Sequence, residues 1–114
     1  METLDLAAFD GDRLQGAGGL TAVCVHATWC GFCRRFLPLF DAAAATSGLR
    51  FALADLSSED DPRWETFKVN VVPTVLLFDN GALVWRKDSR LGVGLFQADI
   101  DALLKAAGER SAPH

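Results

Sequence analysis

The chain has 114 residues, half of them apolar and 23% charged, with a formal net charge of −4 at pH 7. That length fits one domain, since soluble domains run to about 100–150 residues, and the apolar share supports a buried core instead of a disordered chain. A negative balance with scattered Arg and Lys offers no field to a polyanion, so nucleic acid is not an expected partner.

At the start, Leu4 and Leu6 alternate with polar neighbours as a short edge strand would, and Phe9 to Leu14 could form about one helical turn before Gly16-Ala17-Gly18-Gly19 breaks the pattern. Met-Glu-Thr-Leu-Asp carries acid where a signal peptide would carry Lys or Arg, so a cytoplasmic location is expected. Thr21 to Ala27 is apolar at nearly every residue, the pattern of a central strand covered on both faces. From about Cys30 to Thr46 apolar residues recur at helical spacing at Phe36, Leu39, Phe40 and Ala43, and Ser47-Gly48 supplies the stop. Pro38 inside this helix removes a backbone donor and predicts a bend.

Leu49 to Leu56 reads as the next strand, parallel to the first through the helical crossover. Glu59-Asp60-Asp61 is a solvated acidic run, with Asp61 as an N-cap before Pro62 and a short helix through Phe67. Thr74 to Phe78 is a second buried strand, and Asp79-Asn80-Gly81 turns the chain into Ala82–Arg86 as an antiparallel hairpin. Phe96, Ile100, Leu103, Leu104 and Ala107 make the face of a closing helix that ends at Gly108. The resulting order, β-α-β-α-β-β-α, predicts an α/β fold: a mixed sheet with helices on both faces, one domain over residues 1–108, and a frayed tail over 109–114. No apolar run approaches the ~20 residues that cross a bilayer, so no membrane association is expected.

Three cysteines, Cys24, Cys30 and Cys33, are too few and too clustered for a disulfide framework and point to redox or metal chemistry. Trp29-Cys30-Gly31-Phe32-Cys33 falls where the central strand gives way to the long helix. There Cys30 meets unpaired backbone N–H groups, which favour thiolate over thiol, and Cys33 lies one turn on, near enough to close a disulfide. Cys30 is then the attacking sulfur and Cys33 the resolving one. Cys24, His26, Cys30 and Cys33 nominally offer four soft ligands for zinc, but a strand running into a helix is the wrong geometry for a closed tetrahedral site, so no metal is expected.

The sequence resembles the thioredoxin family over nearly its whole length. Ala27-Thr28-Trp29-Cys30-Gly31-Phe32-Cys33 is similar to that family's active site, Pro38 to its helix-kinking proline, Val72-Pro73-Thr74 to its cis-proline loop, and Asp79-Asn80-Gly81 to its hairpin. The resemblance implies a thioredoxin-like fold with Pro73 in cis facing the two cysteines. It also implies that the backbone of Val72 pairs with an extended substrate segment, and that Trp29, Phe32, Val71, Val72 and the Leu91-Gly92 loop form an apolar collar. The implied activity is reduction of protein disulfides, within electron transport and cell redox homeostasis. No cofactor resides in the domain, a monomer is expected, and an NADPH-dependent flavoprotein reductase would recharge the dithiol.

Two departures from the family pattern matter. Phe32 stands where proline is usual, which frees one φ angle and predicts a less reducing couple. Cys24 stands where a buried Asp is frequent, so the usual carboxylate acceptor for the Cys33 proton is missing. Because Cys24 and His26 share a strand face, His26 or a water is the expected proton relay, with Cys24 as inert filling. A thiol oxidase or isomerase, and a non-catalytic binding adaptor, are the alternative functions.

Overall fold

The computed structural model describes residues 1–16 and 18–111. Its foundation is the strand Leu20–His26 (β4), in which every residue from Thr21 to His26 is buried. Three short strands precede it: β1 (Glu2–Thr3), β2 (Phe9–Asp10) and β3 (Arg13–Leu14). After it come the helix α1 (Gly31–Ser47), β5 (Arg50–Asp55), the single-turn helix α2 (Arg63–Thr66), β6 (Thr74–Asp79), β7 (Ala82–Asp88) and α3 (Gln97–Ser111). The main sheet has the order β1-β5-β4-β6-β7. β1 and β4 run parallel to β5, while β6 pairs antiparallel with both β4 and β7.

Alternation along the strands divides the core into two layers. Ala22 and Cys24 of β4, with Val75 and Leu77 of β6, face α1 and α3 through Phe36, Phe40, Ile100 and Leu103. Val23 and Val25, with Leu76 and Phe78, face the opposite side, where Phe9, Leu14, Phe67 and Val69 cover them. The helices α1 and α3 on one side, and the β2–β3 pair with the segment that follows α2 on the other, therefore bury both faces of β4, as its unbroken apolar sequence requires.

The N-terminal segment differs from the sequence expectation. Phe9–Leu14 is not a helical turn: β2 and β3 pair antiparallel with Phe9 opposite Leu14, and Gly11 at φ +57° turns the chain between them. Pairing lets both apolar side chains enter the same core layer, which one turn of helix could not do. The helical turn lies earlier, as a 3-10 turn at Leu6–Ala8, and Leu6 is exposed. The edge strand is Glu2–Thr3, with Leu4 donating its N–H to the Leu53 carbonyl at 2.7 Å. Pro62, not Asp61, is the N-cap of α2; the Asp61 carboxylate accepts the Arg63 N–H at 2.9 Å from one position earlier. The closing helix continues past Gly108 to Ser111, so the fraying expected from Glu109 does not begin there; residues 112–114 of that expected tail lie outside the described residues.

α1 ends as expected, with Gly48 as a left-handed C-cap at φ +74°, and Pro38 lies inside the helix without ending it. Between β6 and β7, Asn80 (φ +50°) and Gly81 (φ +87°) supply the two positive φ angles of a two-residue hairpin. This turn also docks the N-terminal strands: Leu14 N–H donates to the Gly81 carbonyl at 2.9 Å, and a Cβ on residue 81 would stand 2.6 Å from the Leu14 carbonyl oxygen. Gly81→Ala should therefore cost about 1–3 kcal/mol of stability, measured as a lower urea midpoint at unchanged slope.

Candidate active site

Cys30 is the N-cap of α1, with extended backbone angles (φ −96°, ψ 115°), so its side chain turns back toward the first helical turn. Its sulfur accepts the Cys33 N–H at 3.2 Å, satisfying one of the donors that every helix start leaves open. Serine, threonine or aspartate ordinarily performs this capping. A cysteine there puts a nucleophilic atom at the mouth of the helix, on its open backbone donors.

The two cysteines divide in accessibility: Cys30 keeps 6% of its surface and Cys33 none. The Cys33 thiol is pushed up to about 12, first by burial and then by donating its hydrogen bond to Cys30, with Arg34 and the Ala27 backbone acting in the opposite direction. Cys24 lies fully buried in the layer beneath α1, and its thiol is pushed well up by burial and by the neighbouring sulfurs of Cys33 and Cys30. All three cysteines are free thiols.

Opposite the cysteines, the Val72–Pro73 peptide bond is cis, and the Cys30 thiol reaches the Val72 carbonyl at 3.4 Å. Ser89 holds the far side of this loop, its N–H and hydroxyl both donating to the Pro73 carbonyl. A groove of about 330 Å³ opens over the Cys30 sulfur, walled by Trp29, Phe32, Val72, Leu91 and Gly92 among others. Trp29 is 57% exposed and Leu91 85%, so the rim presents apolar surface to solvent. The sequence-derived site residues Trp29, Cys30, Phe32, Val72 and Gly92 thus meet at one groove, with Cys33 beneath it and Pro73 behind it.

His26 is placed differently. It is buried at the end of β4 in register with Asp55 of β5, makes no hydrogen bond to Cys33, and has its charge interaction with Asp55. Burial lowers its pKa, and Asp55 opposes this. Among the described residues, no three of His, Cys, Asp or Glu are grouped to hold a metal ion.

Several neighbours of the site carry no motif in the sequence. The Trp64 indole stacks on Trp29 (centroids 6.3 Å apart, planes 11°) and lines the same groove. The Arg35 guanidinium lies between the rings of Phe32 and Phe96, at 5.4 and 4.4 Å, and donates to the Val93 carbonyl at 2.6 Å. Arg34 donates to the Thr28 carbonyl at 3.1 Å. Both arginines are thus engaged in the site. Phe32 is held by this arginine and by Gly94, where a Cβ would come within 3.1 Å of its ring.

Burial of the thiols has a consequence for stability. Between pH 9.0 and about 12 the unfolded chain has lost the Cys33 proton that the folded chain retains, so stability is complete below pH 9 and falls as pH rises through that window. Cys24 acts with the same sign. Urea unfolding of the reduced protein should therefore give a level profile from pH 7 to 8.5 and a decline above pH 9, shallower in Cys33→Ser.

The family model described as Thioredoxin matches residues 2–104. The chain is 34% identical over 101 residues to a thioredoxin of Echinococcus granulosus, covering 85% of this chain and 89% of that protein. It is 33% identical over 90 residues to a thioredoxin of Chlamydia trachomatis, covering 78% and 80%. The crystal structure of Chlamydomonas reinhardtii thioredoxin f2 superimposes with a TM-score of 0.73 over 100% of this chain and 99% of that one, and at 20% identity that likeness shows the fold. With two cysteines paired at a helix start, a cis-proline loop over them and relatives matched along most of its length, the chain belongs to the thioredoxin family and carries a dithiol redox function.

Proposed function

We propose that the protein reduces disulfides in other proteins, with Cys30 as attacking and Cys33 as resolving cysteine. One observation carries this reading: the less covered sulfur of a cysteine pair caps a helix at the floor of an apolar groove, while its partner is wholly buried. The Cys30 thiolate attacks one sulfur of a substrate disulfide and the other leaves as a thiolate that takes up a proton. Cys33 then loses its proton and attacks the Cys30 sulfur, releasing the second substrate thiol. Two electrons have passed to the substrate, and Cys30–Cys33 is left as a disulfide.

The groove accounts for substrate capture. An extended segment laid along Val72 gains backbone hydrogen bonds, while Trp29, Phe32 and the loop at Gly92 supply apolar contact without selecting a particular side chain. Broad specificity follows. Pro73 shapes the loop that presents the Val72 backbone.

The Cys33 proton passes to water in this reading. His26 lies beside Asp55 in the β4–β5 register with neither ring nitrogen hydrogen-bonded, and burial lowers its pKa, which weakens it as a base. The domain, residues 1–108, works as a monomer in a reducing compartment such as the cytoplasm, where its free thiols persist and an NADPH-dependent flavoprotein reductase restores the dithiol. Phe32 in place of a ring-locked proline supports a couple less reducing than about −270 mV, the value of a typical thioredoxin.

Insulin-disulfide reduction with dithiothreitol as electron source tests the activity. Wild type should precipitate insulin, Cys30→Ser should be inactive, and Cys33→Ser should accumulate mixed disulfides through Cys30. Thiol-independent behaviour in all three forms would instead indicate a binding adaptor. Glutathione equilibration should place the potential above about −270 mV; a value at or below it would remove the role assigned to Phe32.

A further inference from the structure

The turn between β4 and α1 is anchored by a residue that no motif marks. The Ser57 hydroxyl has one proton to donate and two lone pairs to offer, and all three are used. It donates to the Asp55 carboxylate and accepts the Thr28 N–H at 2.8 Å and the Thr28 hydroxyl at 3.1 Å. The Ser57 N–H donates to the same Asp55 oxygen at 2.9 Å, and its carbonyl accepts the Trp29 indole N–H at 3.0 Å. Arg34 takes the Thr28 carbonyl from the other side at 3.1 Å. Every polar group of Thr28 is thereby occupied. The next carbonyl along, that of Ser58, accepts the Trp64 indole N–H at 3.0 Å, so consecutive peptide units orient both stacked indoles.

We propose that Ser57 is a positioning residue for substrate: it fixes the Thr28–Trp29 turn and so sets the Trp29 wall of the groove relative to the Cys30 sulfur. This inference rests on the disulfide-reductase reading and adds to it what holds the groove in shape. The Cys30 sulfur has its own anchor in the Cys33 N–H. Trp29 is 57% exposed and keeps its orientation through the indole bond to Ser57 and the stack on Trp64. Loss of the Ser57 hydroxyl removes the partner of the Thr28 N–H and hydroxyl and loosens the turn, so the Trp29 backbone shifts relative to the Cys30 sulfur even though the indole keeps its bond to the Ser57 carbonyl. A large substrate that needs the wall is affected, whereas a small reagent that needs only the sulfur is not.

The test compares Ser57→Ala and Ser57→Thr with the parent in two reactions: reduction of insulin disulfides and alkylation of Cys30 by iodoacetamide. Ser57→Ala should lower kcat/KM for insulin about tenfold, the equivalent of one or two hydrogen bonds, and leave the alkylation rate unchanged. Ser57→Thr, which retains the hydroxyl, should recover most of the loss. Asp55→Ala, which removes the carboxylate that orients the hydroxyl, should reproduce the pattern of Ser57→Ala and serves if the latter fails to fold. Insulin reduction at the parent rate, a parallel fall in alkylation, or no recovery with threonine would overturn the assignment. A parent chain that reduces no insulin would overturn the reductase reading itself, which keeps the two failures apart.

Discussion

The site depends on the hydrogen bond from the Cys33 N–H to the Cys30 sulfur, because it decides where the reactive atom sits. A helix macrodipole is worth about 0.3–1 kcal/mol at its N-terminus, while a hydrogen bond to a charged partner is worth about 1.5–3 kcal/mol. The direct N–H bond is therefore the larger contribution, and only the N-cap position makes it available. A cysteine one residue later would lie inside the helix with its sulfur turned away from the open donors. Cys33 occupies such an interior position and is wholly covered.

Keeping that cap in place falls to the sheet. β4 is buried on both faces and ends at His26, so Ala27 to Trp29 must carry the chain from the sheet to the start of α1 in a few residues. Hydrogen bonds from two directions hold this turn, through Ser57 after β5 and through Arg34 one turn into α1. The cis Val72–Pro73 loop closes the groove from a third element, β6, whose pairing with β4 sets Val75 opposite Cys24. Parts of the chain more than forty residues apart are in this way brought within hydrogen-bonding distance of one sulfur.

Much of this was legible in the sequence because it is written in local pattern. The unbroken apolar run of β4, the helical spacing of Phe36, Phe40 and Ala43, and Asn80-Gly81 each specify an element without reference to distant residues. Phe9 to Leu14 is ambiguous because six residues with one apolar residue at each end carry no period that separates a pair of two-residue strands from a helical turn; Gly11 is the available signal for the turn. His26 shows what the alternation of a single strand leaves out. Alternation puts it on the face of Cys24, but at the strand end the neighbour is decided by the pairing with β5, which brings Asp55 alongside. The roles of Ser57, Trp64 and Arg35 arise from contacts between elements, and nothing in their immediate sequence distinguishes them from surface polar or packing residues.

The division of labour between a capped Cys30 that lines the groove and a Cys33 that is wholly covered is the centre of the account. Peptide mapping by mass spectrometry after brief treatment of the fully reduced native protein with limiting iodoacetamide at pH 8 measures it directly. Label should fall on Cys30, leaving Cys33 and Cys24 unmodified until the protein is unfolded. Comparable labelling of Cys33 or Cys24 in the native protein would contradict the assignment of the attacking sulfur and the burial on which it rests.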